Sequence, residues 1–271
     1  MTDDITTTAK SMRRNQLRMA LDAGAKGAHL GGAFSCTDIL AALYTAYLNA
    51  QPQNPHKEDR DRFVLSKGHC AMAHYAALYE AGFLDKEELF SFEVNDGDFP
   101  THSVINTEKG IEISSGSLGM GLSVGVGMAL AGRRKGLDYR VFVLLGNGEC
   151  NEGSVWEAFM AAAHLSLDKL YAIVDCNGQQ LDGDSDTVMR MSNLSVALQS
   201  FGWNVLEFDG HDIEAISNAF DNLPCNEKPT ALLAKTVKGK GVSFMENNRA
   251  WHHGRLSQED YNVAIQELEE A

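Results

Sequence analysis

Four short apolar-rich runs recur along the second half of the chain: "RVFVLL" (140–145), "LYAIVD" (170–175), "NVLEFD" (204–209) and "TALLAKT" (230–236). Stretches with helical spacing separate them, at Trp156–Leu165, Leu194–Phe201 and Ile213–Leu223. Apolar strands without polar alternation are buried on both faces, and strand–helix alternation builds a parallel sheet. The expected fold is therefore α/β, a parallel sheet with helices on both faces. In such sheets ligands bind at the carboxyl ends of the strands, where the strand order reverses.

The first half fits the same plan. Helices are expected at about Thr7–Ala28 and Thr37–Leu48, the second stopped by Pro52 and Pro55. "RFVLS" (62–66) reads as a short buried strand leading through "KGH" into a helix near Ala71–Ala81. "SLGMGLSVGVGMALAGRRKG" reads as a Gly- and Ala-rich helix starting near Leu118, whose small residues let another backbone approach. No Pro/Gly/Ser linker divides the chain, so one domain over residues 1–271 is expected.

Composition excludes several partners. The formal net charge of −14 repels nucleic acid and anionic membranes. The apolar runs are too short to span a bilayer, and "MTDDITTTAK" carries no apolar signal core. Cys36, Cys70, Cys150, Cys176 and Cys225 are scattered without a CxxC, which argues against a disulfide framework or structural zinc and for a reducing, cytoplasmic location.

The chemistry concentrates in "VLLGNGECNEG" (143–153). An apolar strand ends on Gly-Asn-Gly, a helix follows, and Asn147, Glu149 and Glu152 offer oxygen atoms. Glycines 146 and 148 let the backbone turn and approach a ligand, and the following helix start favours phosphate. The next strand ends in "DCNGQQLDG". Asn147 and Asn177 are 30 residues apart, about one βαβ crossover, so both reach the same sheet edge. Two amide oxygens and a loop carbonyl facing a diphosphate would suit Mg²⁺ or Ca²⁺, which complete their shells with phosphate oxygens and water.

"GNGECNEGSVWEA" followed by "IVDCNGQQLDG" resembles the thiamin-diphosphate signature of the transketolase family. "DRFVLSKGHCAMAHYAAL", "GIEISSGSLGMGLSVGVGMALA" and "KTVKGKG" with "WHHG" resemble three further family segments, in the family's order. The resemblance runs from about Ala23 to Gly254. It implies thiamin diphosphate with Mg²⁺ or Ca²⁺, the cation held by Asn147, Asn177 and the carbonyl of Gln179. Gly148 and Lys238 would sit near the diphosphate, Gly116 and Leu118 near the ring region. His29, His69, His102 and His252 would surround the reacting carbon and the sugar hydroxyls, a task that imidazole suits near neutral pH. His252 rather than His253 is favoured by the Trp–His order. His56, His74 and His164 are expected to be structural. Glu152 and Glu157 match acidic positions at subunit interfaces.

Three positions depart from the family pattern. Asn147 stands where Asp is usual, and Leu30 and Ser103 follow histidines where Pro is usual. A full transketolase is more than twice this length, with pyrimidine-binding and C-terminal domains. The resemblance thus implies the N-terminal subunit of a split transketolase. A second chain would supply the rest in an α₂β₂ assembly, and a two-carbon ketol unit would pass between sugars or sugar phosphates. The helix near 119–132 and the region around Trp156 are the expected partner surfaces. Two alternatives are the α subunit of a 2-oxo acid dehydrogenase and a non-catalytic cofactor-binding or regulatory subunit.

Overall fold

In the computed structural model, which describes residues 1–191 and 193–270, five strands form one sheet. They are β1 (Arg62–Leu65), β2 (Val141–Gly146), β3 (Leu170–Cys176), β4 (Asn204–Asp209) and β5 (Thr230–Lys235), all parallel, in the order β1-β2-β3-β5-β4. Ser192 and Ala271, within the expected 1–271 domain, lie outside the described residues.

Successive strand residues point to opposite faces, and here each face has its own core. Phe63, Leu65, Phe142, Leu144, Tyr171, Ile173 and Leu232 enter one. Val64, Val141, Val143, Leu145, Ala172, Val174 and Leu233 enter the other. Double burial is why the central runs lack polar alternation.

The helices are α1 (Thr2–Ala23), α2 (Leu30–Ser35), α3 (Thr37–Ala42), α4 (Ala71–Glu80), α5 (Lys86–Leu89), α6 (Gly121–Lys135), α7 (Gly153–His164), α8 (Ser185–Val188), α9 (Leu194–Phe201), α10 (Ile213–Asp221) and α11 (Gln258–Glu270). Helices α1 to α5, α10 and α11 cover the first core. Helices α6, α7 and α9 cover the second. The chain passes from β2 to β3 through α7 and from β3 to β4 through α9, then returns to β5 through α10 on the opposite face. Changing face as the direction across the sheet reverses lets these crossovers keep one hand. Helix α9, after β3, and helix α11, after the adjacent β5, lie on opposite faces, so the chain changes face between these neighbouring strands at their carboxyl ends.

Several boundaries differ from that reading. Helix α1 begins at Thr2, where Asp3 and Asp4 complement the helix dipole, and stops at Gly24, whose φ of 57° breaks it. Helix α2 was not expected at all. Its sequence "LGGAFS" is wholly buried, so it has no polar face to reveal a period. The expected 37–48 helix is α3 continued by a π-helical turn, Leu43–Tyr47. Helix α6 begins at Gly121 rather than Leu118, because Gly119 (φ 81°) turns the chain just before it.

Helix α6 lies very close to the sheet. A Cβ on Gly125 would sit 2.5 Å from Val143 Cγ2, whereas one on Gly127 would meet no described residue within 4 Å. Gly125→Val is accordingly expected to destabilise the protein by about 1–3 kcal/mol through overpacking. Gly127→Ala should stabilise it by about 0.5–1 kcal/mol through helix propensity. Urea midpoints at constant slope measure both, and equal midpoints would contradict this packing.

Candidate functional site

The loops leaving the carboxyl ends of β1, β2, β3 and β5 surround a cavity of about 390 Å³. All eleven residues that the resemblance places around the cofactor and sugar line it: His29, His69, His102, Gly116, Leu118, Asn147, Gly148, Asn177, Gln179, Lys238 and His252. His29 precedes α2, and His69 lies in the turn after β1. Asn147 and Gly148 follow β2, Asn177 and Gln179 follow β3, and Lys238 follows β5. Glu152 also lines the cavity, while Glu157 is exposed on α7. His56 pairs with Glu108 on the surface, His74 is buried 2.8 Å from the Tyr44 hydroxyl, and His164 is exposed.

The imidazoles form a cluster. His29 has His102 and His252 at 5.5 Å and His69 at 5.8 Å, centroid to centroid. His253 packs against His29 at 4.5 Å but does not line the cavity. Burial, reinforced by the neighbouring imidazoles, lowers His29 to about 3. Burial and the adjacent Lys238 lower His252 to about 4. Both rings are neutral at pH 7. Lys238 Nζ lies 3.0 Å from His252 Nδ1, and burial, then the charge of Lys67, lowers its ammonium to about 8.

Beneath this cluster lie residues that the sequence reading gave no role. Lys67, 1% exposed, pairs with Asp175, 0% exposed, and also donates to the carbonyl of Gly32 at 3.2 Å. Burial opposes the charged form of Asp175, but Lys67 and the hydroxyls of Ser35 and Thr236 hold its carboxyl below the usual range. Glu149 was expected to offer its oxygens to a ligand. Its carboxylate instead accepts from Ser66 Oγ, from the N–H of Gly119 at 2.8 Å and from the N–H of Gly146 at 3.0 Å. It braces three loops, and burial pushes its pKa up against those bonds. Gln180 Nε2 donates to Asn151 Oδ1 at 2.7 Å, joining the loops after β2 and β3. The only signals in sequence were that Lys67 sits in "SKGH" and that Asp175 ends an apolar strand.

The donor set suits a hard cation beside an anion. Asn147 Nδ2 donates to Ser185 Oγ at 2.5 Å, which leaves the amide oxygen as its available ligand atom. Asn177 Nδ2 donates to Asp175 at 3.1 Å, while its Oδ1 accepts from the Gln179 N–H at 3.1 Å and keeps a second lone pair. Among the described residues no three His, Cys, Asp or Glu side chains assemble as a metal cluster. A cation here would rely on amide, carbonyl and phosphate oxygens. His29 Nδ1 and Gln179 Oε1 are buried with no hydrogen-bond partner among the described residues, and Lys238 is a desolvated ammonium. These groups fit a polar, anionic occupant with a cation, as a diphosphate cofactor would be.

A family model described as "Transketolase, thiamine diphosphate binding domain" matches residues 8–269. The chain is 42% identical over 247 residues to an apulose-4-phosphate transketolase subunit of Phocaeicola vulgatus, covering 91% of this chain and 88% of that one. It is 36% identical to human transketolase, covering 96% of this chain but 41% of that protein. The transketolase structure from Leishmania mexicana superposes with a TM-score of 0.91 at 28% identity, over 98% of this chain and 41% of that one. The chain thus spans about two fifths of these longer transketolases. The matches favour transketolase over the 2-oxo acid dehydrogenase alternative. No helix among the described residues is long and apolar enough to cross a membrane.

Histidines with lowered pKa values penalise the folded state only in acid. The penalty is absent above the unfolded value near 6.5 and grows as pH falls toward 3 for His29 and 4 for His252. The ligand-free chain is therefore expected to lose stability between pH 6.5 and 4. A His29→Asn/His252→Asn variant should recover on the order of 2 kcal/mol at pH 4, after allowance for water in the cavity. Thermal midpoints across that range are the measurement, and parallel pH profiles would refute the assignment.

Proposed function

Since the chain belongs to the transketolase family, we propose that its cavity binds thiamin diphosphate with a divalent cation, Mg²⁺ or Ca²⁺. We further propose that it is the N-terminal subunit of a two-chain transketolase moving a two-carbon ketol unit between sugars or sugar phosphates. The observation that carries this reading is that eleven residues from separate segments line one cavity in a chain covering 88% of a relative that is itself named as one transketolase subunit.

In this reading Asn147, Asn177 and the Gln179 carbonyl hold the cation, and Gly148 and Lys238 face the diphosphate. Close approach at Gly148 fits its surroundings, since a Cβ there would already meet the Gln180 side chain at 2.8 Å. Gly116, at φ 135°, and Leu118 border the ring. The bound cofactor supplies the nucleophilic carbon that carries the two-carbon unit.

The four histidines then serve the sugar. The Lys238 ammonium donates to His252 Nδ1, which leaves the proton of that neutral ring on Nε2, available to a donor hydroxyl. His29 Nδ1, buried and without a partner among the described residues, can accept or return a hydroxyl proton. Low imidazole basicity keeps both rings neutral, and so able to take up a proton, at physiological pH.

A second chain would cover the mouth of the cavity. Leu118 and Leu181 line it yet remain 38% and 65% exposed, and Met120 beside them is 54% exposed. Ser123, Gly127 and Ala131 leave a small-residue stripe open on α6, and Met160 is 48% exposed on α7. Such apolar exposure suits a partner supplying the pyrimidine-binding and C-terminal domains, together with self-association in the same assembly. A cytoplasmic location accords with five free cysteines.

The purified chain alone is expected to show no ketol transfer, and activity should appear when the partner chain is added. Full turnover by the isolated polypeptide would overturn the two-chain reading. Asn147→Asp should tighten the cation by about 3–10-fold, because a carboxylate adds a negative charge to an amide site. Parallel Mg²⁺ titrations with thiamin diphosphate test this, and equal or weaker affinity in the Asp form would contradict it.

A further inference from the structure

Outside the cavity, one buried carboxylate has partners that the chemistry above does not use. Asp38, on α3, is 6% exposed. Arg13 on α1 donates to both of its oxygens, Nη1 to Oδ1 and Nη2 to Oδ2, each at 2.7 Å. His211 Nδ1 lies 2.7 Å from Oδ2. Burial opposes ionisation of this carboxyl, but Arg13 and then His211 outweigh it and hold the group well below the usual carboxylate range.

Each partner of Asp38 reaches onward to the same loop. The backbone N–H of Val237 donates to His211 Nε2 at 2.8 Å. Nε2 is therefore the acceptor, Nδ1 carries the proton, and His211 donates to Asp38. At the other end, Arg13 Nε donates to the carbonyl of Lys240 at 3.1 Å. Lys238 lies between these two anchors. Within the span, Gly239 takes a φ of 79° and its N–H donates to the carbonyl of Gly31 at 2.9 Å. The loop is thus gripped at 237, 239 and 240, while the side chain of 238 enters the cavity.

The geometry points to a clamp: Asp38 holds Arg13 and His211, which fix both ends of residues 237–240 and so position Lys238 Nζ beside His252 Nδ1. Arg13, Asp38 and His211 are positioning residues that do not line the cavity. The functional consequence rests on the reading of Lys238 as a diphosphate contact. The mechanical claim does not.

Amide exchange and calorimetry test the clamp. In the free chain, His211→Leu is expected to speed exchange of residues 236–242 by about tenfold, the loss of roughly one hydrogen bond, with α4 unchanged. With the partner chain present, the Kd for thiamin diphosphate with Mg²⁺ should rise by about tenfold. His211→Gln, whose amide can accept from Val237 and donate to Asp38, should largely restore both values. His74→Leu, at a buried histidine that does not line the cavity, should leave the Kd unchanged and controls for general loss of stability. Unaltered exchange at 236–242, an unaltered Kd in His211→Leu, or the same Kd rise in His74→Leu would each overturn the proposal. If the wild-type chain takes up no thiamin diphosphate even with its partner chain present, the cofactor reading fails and the exchange data alone decide the clamp. Should His211→Leu not fold, Asp38→Asn, equal in shape but uncharged, carries the same comparisons with the same expected directions.

Discussion

The carboxylate of Asp175 is the point on which the rest of the site depends. It lies one residue before the end of β3, is fully buried, and receives four donors from four segments. These are Lys67 after β1, Ser35 Oγ on α2 at 2.5 Å, Thr236 Oγ after β5, and Asn177 Nδ2 on its own loop at 3.1 Å. A buried carboxylate is tolerable only when paired and hydrogen-bonded, and stripping one partner from such a pair typically costs about 3–5 kcal/mol. The strand ends under the cavity are therefore joined by one anion rather than by apolar packing. Loops at the carboxyl edge of a sheet are free to vary in path, and here a common acceptor removes that freedom.

A division of labour follows among the charged groups. Asp175 and Glu149 spend their oxygens on the protein itself: the first gathers side chains, while the second accepts backbone N–H groups of Gly119 and Gly146 and the hydroxyl of Ser66. Neither is left to repel an anion in the cavity. The chain as a whole carries −14, yet the cations nearest the occupant, Lys67 and Lys238, are buried. Net charge describes the outer surface and is silent about this interior field.

How much of this was legible depends on whether the signal is local. Strands β2 and β3 were readable because double burial leaves unbroken apolar runs, and α9 because its apolar residues keep a helical period. Asn147 and Asn177 could be brought together from spacing alone, since a βαβ unit has a nearly fixed length. Helix α2 was invisible, being buried on all sides and carrying two glycines. Lys67 and Asp175 are 108 residues apart, and His211 and Asp38 are 173 apart. Those partnerships arise only when the sheet assembles, so no window of sequence contains them. His211 has no neighbouring motif at all, which is why it escaped notice while the histidines in family-like segments did not.

Lys238 carries a consequence for how the cavity fills. Its ammonium sits near half-occupancy around pH 8 because it has been taken out of water beside another cation. An anion arriving there restores its ordinary basicity, so the side chain must draw a proton from the solvent as the anion settles. Occupation of the cavity is thereby tied to hydrogen-ion uptake, and the heat of filling at mildly alkaline pH will depend on the ionisation enthalpy of whatever buffer surrounds the protein.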